Sequence, residues 1–303
     1  MQEMDAGVRS QRDGRGRVPT PRELLGRLVG PQWRFRLHRL GRFRWLTKYR
    51  LMRGYQADVT LAGRIRYVLL DPEIESFSFD VENEAEMVAG LAAALGRPAV
   101  ELASYVEEVR QDSELSRWRW TVKRRLPIGN RLPWYLIARA EKPRVVVETG
   151  IYQGLGSLTL LRALARNAEE GHPGELISFD EVADAGALVG PHLRERWRRV
   201  IGPTRETLPG ALDGRVVDVM FQDTPHTEEN QSFEFGAVLE RAAPRLLLFD
   251  CSGGESPTLH ALAKERRGFY HAVPLRSRDH IYPGTAATFA VFGARGARAA
   301  DEP

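Results

Sequence analysis

The sequence predicts an α/β protein whose C-terminal half, from about Pro143, is a doubly wound sheet of seven strands preceded by a mainly helical extension. Three observations predict it. Beyond Pro143, short apolar runs alternate with helix-length segments, as in a parallel sheet built from βα units. The first of those runs, Val145-Val146-Val147-Glu148, ends in an acid and passes into a glycine-rich turn, Thr149-Gly150-Ile151-Tyr152-Gln153-Gly154-Leu155-Gly156-Ser157. Ahead of Pro143, apolar residues recur at helical spacing among acidic positions.

The 303 residues, 43% hydrophobic, suffice for one large α/β domain with an extension or for two modest domains. Charged residues make up 28% and nearly balance, at a formal net charge of +4, so composition names no partner. The single cysteine, Cys251, excludes an intrachain disulfide. No apolar run approaches the roughly 18 to 20 residues that span a bilayer, and the first residues lack the apolar core of a secretory signal, so no membrane partner and a cytoplasmic location are expected.

Residues 1–22, rich in Arg, Gly, Asp and Gln, have little to bury and read as a disordered basic tail. Residues 23–133 read as the mainly helical N-terminal domain, a lid or dimerisation element. In it, the stretch from Pro31 to Arg53 interleaves arginines with Trp33, Phe35, Leu37, Leu40, Phe43 and Trp45 in a pattern that suits either a basic amphipathic helix or a strand. Charge then reverses from Asp71 to Glu86 and again from Glu101 to Glu114. Met87, Val88, Leu91, Ala92 and Leu95 mark one helix, Val100 to Leu115 a second, and Trp134 to Ala140 a short apolar third after a Pro/Gly-punctuated segment from Pro127 to Pro133. Strands are expected at Arg144–Glu148, Glu175–Asp180, Arg199–Ile201, Val216–Gln222, Arg245–Asp250, Tyr270–Leu275 and Ala287–Phe292. Residues 134–293 would form the sheet domain and 294–303 a flexible tail.

In an open α/β sheet a ligand sits beyond the carboxyl ends of the strands, and glycines there admit it to the backbone. Gly150, Gly154 and Gly156 fit that need, although their order is not the G-x-G-x-x-G of nicotinamide enzymes. The next strand ends in Asp180, a carboxylate placed to accept hydrogen bonds from ribose hydroxyls.

The ordered set of strand ends, Glu148 to Ser157, Asp180, Val219-Met220-Phe221-Gln222-Asp223-Thr224-Pro225-His226 and Leu247-Leu248-Phe249-Asp250, resembles class I S-adenosylmethionine (SAM)-dependent methyltransferases. Within them it is most similar to the branch that includes sugar and macrolide O-methyltransferases of secondary metabolism, over Trp134 to Phe292. The resemblance implies a Rossmann-like seven-stranded methyltransferase sheet and SAM as cofactor. It implies that Glu148, Gly150, Gly154 and Ser157 border the methionine part, that Asp180 holds the ribose, that Thr204 lies near the adenine, and that Tyr152 and Asp223 join the cofactor-binding set.

It also implies a reactive end. Asp223 and His226 stand where relatives place a metal-binding aspartate and a histidine, with Asp250 at the fifth strand as the second metal candidate. Pro225 and Cys251 replace the further oxygen donors of metal-dependent relatives, so Asp223 and Asp250 make a poor Mg²⁺ site unless water and substrate oxygens complete it, and the balance is against magnesium. His226 is then the candidate catalytic base beside Asp223, with His280, in the run Asp279-His280-Ile281-Tyr282-Pro283-Gly284, as its rival. The expected chemistry is O-methylation of a small-molecule hydroxyl by a homodimer. Two alternatives remain at this stage. One is a methyltransferase of RNA or protein using the arginine-aromatic stretch, which the following acidic segment argues against; the other is a non-catalytic SAM-binding partner subunit.

Overall fold

A computed structural model of the chain describes residues 81–116, 128–152, 154–186, 188–249, 255–276 and 285–293. The two tails, the Pro31–Arg53 stretch, Asp71 to Asp80, Trp118, Trp120, Asp250, Cys251, His280 and Tyr282 lie outside them. Seven strands form one sheet: β1 (Val145–Thr149), β2 (Glu175–Asp180), β3 (Trp197–Ile201), β4 (Val219–Gln222), β5 (Leu246–Phe249), β6 (Phe269–Leu275) and β7 (Thr285–Val291). Their order is β3-β2-β1-β4-β5-β7-β6; the first five are parallel, and β7 runs antiparallel to both of its neighbours. This is the expected α/β, Rossmann-like sheet.

The central strands β1, β2, β4 and β5 form because their runs are largely apolar on both faces. Val146, Leu176, Val219, Phe221, Leu246 and Leu248 point into one buried layer, and Val147, Ile177, Phe179, Met220, Leu247 and Phe249 into the other. The second layer is closed by α6 (Thr204–Leu212), α7 (Glu228–Arg241) and α8 (Pro257–Glu265) through Leu208, Leu212, Phe235, Val238 and Leu259. The first is closed by α1 (Glu84–Leu95), α2 (Ala99–Gln111), the short α3 (Ser113–Ser116), α4 (Leu132–Glu141) and α5 (Leu155–Glu169). The two acidic helices of the extension therefore share their apolar core with the sheet, and Asn83 fastens the start of α1 to the end of β6: its side-chain amide donates to the Pro274 carbonyl at 2.9 Å and accepts from the Arg276 N–H at 2.7 Å.

Every strand but β2 departs from its expected bounds by one to three residues at one end or both, and at β4 and β3 the cause is local. β4 begins at Val219, because Val216 is exposed and Asp218 turns its carboxylate to accept the N–H groups of Arg144 and Val145 at 2.8 and 3.0 Å. β3 begins at Trp197, whose indole N–H donates to Ser178 Oγ at 2.8 Å and so joins the pairing with β2.

Arg139, on α4 and only 1% exposed, ties three helices together. Its guanidinium donates to both carboxylate oxygens of Glu108 on α2, at 2.8 and 2.9 Å, and to Glu170 and Asn167 at the end of α5, and it lies 4.5 Å from the centre of the Tyr105 ring. Removing a buried member of an ion network leaves its partners facing an apolar gap. Arg139→Met is therefore expected to lower the unfolding free energy by about 2–3 kcal/mol, discounted from a wholly buried pair because Glu108 and Glu170 are partly solvated. Urea denaturation would measure it, and a change below about 0.5 kcal/mol would assign the network's support to solvent.

Candidate active site

The strand order reverses direction at β1, between β2 and β4, and a crevice opens at the carboxyl ends of such a pair. The glycine-rich turn fills one side of it. Gly150 has φ +88°, and a side chain there would clash with the backbone carbonyl of Asp223, so this glycine lets the β1 turn and the β4 loop touch. A Cβ at Gly156 would stand 2.5 Å from Glu148 Oε1 and 2.7 Å from the Trp134 ring. These two positions are thus required by packing around the crevice. Gly154, also left-handed at φ +93°, lies against Gly186.

Asp180 holds that turn in place. Its Oδ2 accepts the N–H groups of Ile151 and Tyr152 at 2.9 and 2.8 Å, and Oδ1 accepts that of Val182 at 2.8 Å. Three of roughly four acceptor positions of the carboxylate are therefore used within the chain, which leaves about one for a further donor. Around it, Tyr152, Val182 and Ile201 expose 37, 52 and 41% of their surface at the ends of three neighbouring strands. Thr204, half-buried, opens α6 directly after β3.

Glu148 and Ser157 lie deeper than the sequence suggests. Both are fully buried, and Glu148 Oε2 accepts hydrogen bonds from Ser157 Oγ and Ser178 Oγ, each at 2.6 Å. Burial pushes the Glu148 carboxyl up to about 7, against the two serine hydrogen bonds that favour its charge, and the charge of Asp223 pushes the same way as burial while Arg131 opposes it. The pair supports the turn from beneath.

The other side of the crevice is the β4 loop. His226 packs edge-on against Phe249 with ring centres 4.7 Å apart, is one-third exposed, and places Nε2 3.9 Å from Asp223 Oδ1. The second oxygen of Asp223 meets Arg131, whose Nη2 lies 2.5 Å from Oδ2. Sequence reasoning missed Arg131, reading its neighbourhood as a linker. The available signal was a lone cation in the otherwise uncharged run from Leu126 to Ala138. It also missed Glu234, fully buried on α7, which accepts from Thr149 Oγ1 and Thr224 Oγ1 at 2.9 and 2.7 Å and so anchors the loop that carries Asp223 and His226.

The described part of this donor set, Asp223 without Asp250, fits Mg²⁺ poorly. Asp223 is already engaged by a guanidinium, Pro225 offers no side-chain oxygen, and among the described residues no three His, Cys, Asp or Glu groups gather to hold an ion. Like unit charges about 4 Å apart repel by about 4 kcal/mol at an effective dielectric near 20, and a divalent ion beside Arg131 would meet about twice that. Asp250 and His280 lie outside the described residues.

Comparison with known proteins agrees with the strand ends. Residues 147–250 match a family model described as "Methyltransferase domain", a span running from β1 to the end of β5. The resemblance to class I SAM-dependent methyltransferases therefore stands. No curated protein matches the chain. Solved structures of similar shape include an SAH-bound methyltransferase of Podospora anserina, 16% identical over 65% of this chain and 95% of that one, with a TM-score of 0.43. Others are an O-methyltransferase of Bacillus cereus in complex with SAH (14%; 63% and 99%; 0.44) and the Streptomyces achromogenes O-methyltransferase involved in tomaymycin synthesis, in complex with SAM (16%; 65% and 96%; 0.44).

The raised Glu148 value fixes the sign of a pH effect. The protonated form is favoured in the folded chain, so its contribution to stability is complete below the ordinary 4.5 and is lost as pH rises through about 7. Unfolding of wild type and Glu148→Gln compared across that window is expected to show the wild type losing ground steadily with pH. A difference independent of pH would mean that Glu148 is ionised throughout.

Proposed function

We propose that the protein is a SAM-dependent methyltransferase that methylates a hydroxyl of a small-molecule natural product, sugar or polyketide- or peptide-derived. The observation that carries the reading is the meeting, at the sheet's switch point, of the Asp180-bound glycine-rich turn with the Asp223–His226 loop. The match of residues 147–250 to a methyltransferase-domain family supports it.

The residues present fit SAM. The remaining acceptor position of Asp180 suits one ribose hydroxyl, and the exposed Tyr152, Val182 and Ile201 offer an apolar surface for a flat adenine, with Thr204 beside it. SAM supplies a methyl group on a positively charged sulfur that departs as a neutral thioether. The chain's own tasks are to align the acceptor oxygen with that methyl group and to take its proton. His226 takes it: in its neutral form the imidazole accepts the hydroxyl proton at a ring nitrogen, Asp223 at 3.9 Å faces the imidazolium so formed, and the exposed edge of the ring returns the proton to water. Gly150 and Gly156 keep the turn, Trp134 and the β4 loop packed closely enough to shield the reacting atoms.

Calorimetry of SAM and of its demethylated product is expected to show binding to the intact protein and at least tenfold weaker binding to Asp180→Ala, which loses both the ribose acceptor and the anchor of the turn; an intact protein that binds neither compound removes the cofactor assignment. With an acceptor in hand, His226→Ala is expected to lower kcat by about 10²- to 10⁴-fold at saturating SAM. Near-normal turnover would assign the proton to another group.

A further inference from the structure

We infer that the guanidinium of Arg131 is the fixed cation of this crevice, occupying the carboxylate of Asp223 in place of a divalent ion and positioning it beside His226. The inference rests on the methyltransferase reading for its chemistry, and on the ion pair itself for its geometry.

The pair is a built one. Arg131 Nη2 and Asp223 Oδ2 lie 2.5 Å apart, with only 8 and 21% of the two side chains exposed, which is a short charge-assisted hydrogen bond shielded from water. The guanidinium is seated from a second direction, with Cζ 4.4 Å from the centre of the fully buried Trp134 ring. Trp134 packs on Phe221 at 5.0 Å between ring centres, and Phe221 belongs to β4, two residues before Asp223. The strand that presents the carboxylate therefore also supports the platform on which its counter-ion rests. Arg131 comes from the turn Gly129–Arg131 that opens α4, so the cation is supplied by an element outside the matched 147–250 span.

The exchange of a metal for an arginine changes the chemistry. Mg²⁺ needs oxygen ligands at about 2.0–2.1 Å in near-octahedral array and would claim the edge of Asp223 that Arg131 holds. A guanidinium keeps its charge at every working pH, cannot be chelated away, and has no vacant orbital to accept a lone pair from the acceptor hydroxyl. It leaves that hydroxyl's acidity unaltered by coordination, so removal of the proton falls wholly to a base, which is the role assigned to His226. Arg131 is thus a positioning residue: it fixes the rotamer of Asp223 and with it the orientation of Oδ1 toward the histidine.

The test uses the full chain and Mn²⁺ as a probe of the carboxylate, by titration calorimetry on the wild type, Arg131→Met, Arg131→Lys, Asp223→Asn and the Arg131→Met/Asp223→Asn double variant. SAM binding is measured on each. The wild type is expected to show no Mn²⁺ binding that depends on Asp223. Arg131→Met is expected to bind Mn²⁺ at least tenfold more tightly than the wild type, the double variant to lose that gain, and Arg131→Lys, which keeps a cation, to resemble the wild type. A simple packing role for Arg131 would produce no such gain. Mn²⁺ binding to the wild type that disappears in Asp223→Asn overturns the inference, as does an Arg131→Met protein that still binds SAM but gains nothing. Should Arg131→Met fail to fold, the comparison of wild type with Asp223→Asn and Arg131→Lys decides in the same two directions. A wild type that binds no SAM refutes the methyltransferase reading instead, and leaves the ion comparison to stand or fall separately.

Discussion

A missing side chain at residue 150 governs the geometry of the crevice. The backbone carbonyl of Asp223 occupies the space that a Cβ would take, and the Asp223 N–H donates to the Thr149 carbonyl at 2.8 Å. The end of β1 and the end of β4 are thereby locked at van der Waals contact. From that contact follow the turn's left-handed entry, its capture by Asp180, the approach of Trp134 to Gly156, and the placement of Asp223 within reach of both Arg131 and His226.

Around this contact the chain buries several ionisable side chains, each held through at least one of its polar atoms. Glu148 is answered by two serine hydroxyls, while burial pushes its carboxyl toward the neutral form. Glu234 is answered by two threonines, Arg131 by Asp223 and an indole face, and Arg139 by two glutamates and an asparagine. Such groups are costly to strand singly, so they hold loops and helices to particular arrangements rather than merely adding stability. Three of the four stand under or beside the β1 turn and the β4 loop, where positional accuracy matters most for aligning two reactants.

How much of this the sequence discloses depends on how local the physics is. Strands such as Val145–Thr149 and Leu246–Phe249 are legible because a strand covered on both faces must be an unbroken apolar run. The glycine-rich turn is legible because positions such as Gly150 and Gly154 take a left-handed backbone that favours glycine, and Asp180 because a carboxylate at a strand end is conspicuous. Its task was only half visible, since the N–H groups of residues 151 and 152 reach it through the fold, and depth hid the true setting of Glu148 and Ser157. Arg131 stands out in the sequence only as a lone cation, and its role is hidden because its partner lies 92 positions along the chain, where no spacing rule connects a turn before α4 with a loop after β4. The helices of α1 and α2 were legible as helices, but the sheet face that they cover was not.

The place of β7 in the sheet has a consequence for the chain while it is being synthesised. Of the described strands β7 is the last made, yet it lies between β5 and β6 and supplies the hydrogen-bonding edge that both of them need. Until residues 285–291 leave the ribosome, Leu246–Phe249 presents an unpaired, wholly apolar rim, and β6 lacks the one strand with which it pairs in the sheet. A chain made only as far as β6 therefore carries an open apolar strand edge, and keeping it from misassociation falls on whatever shelters the emerging chain until β7 follows.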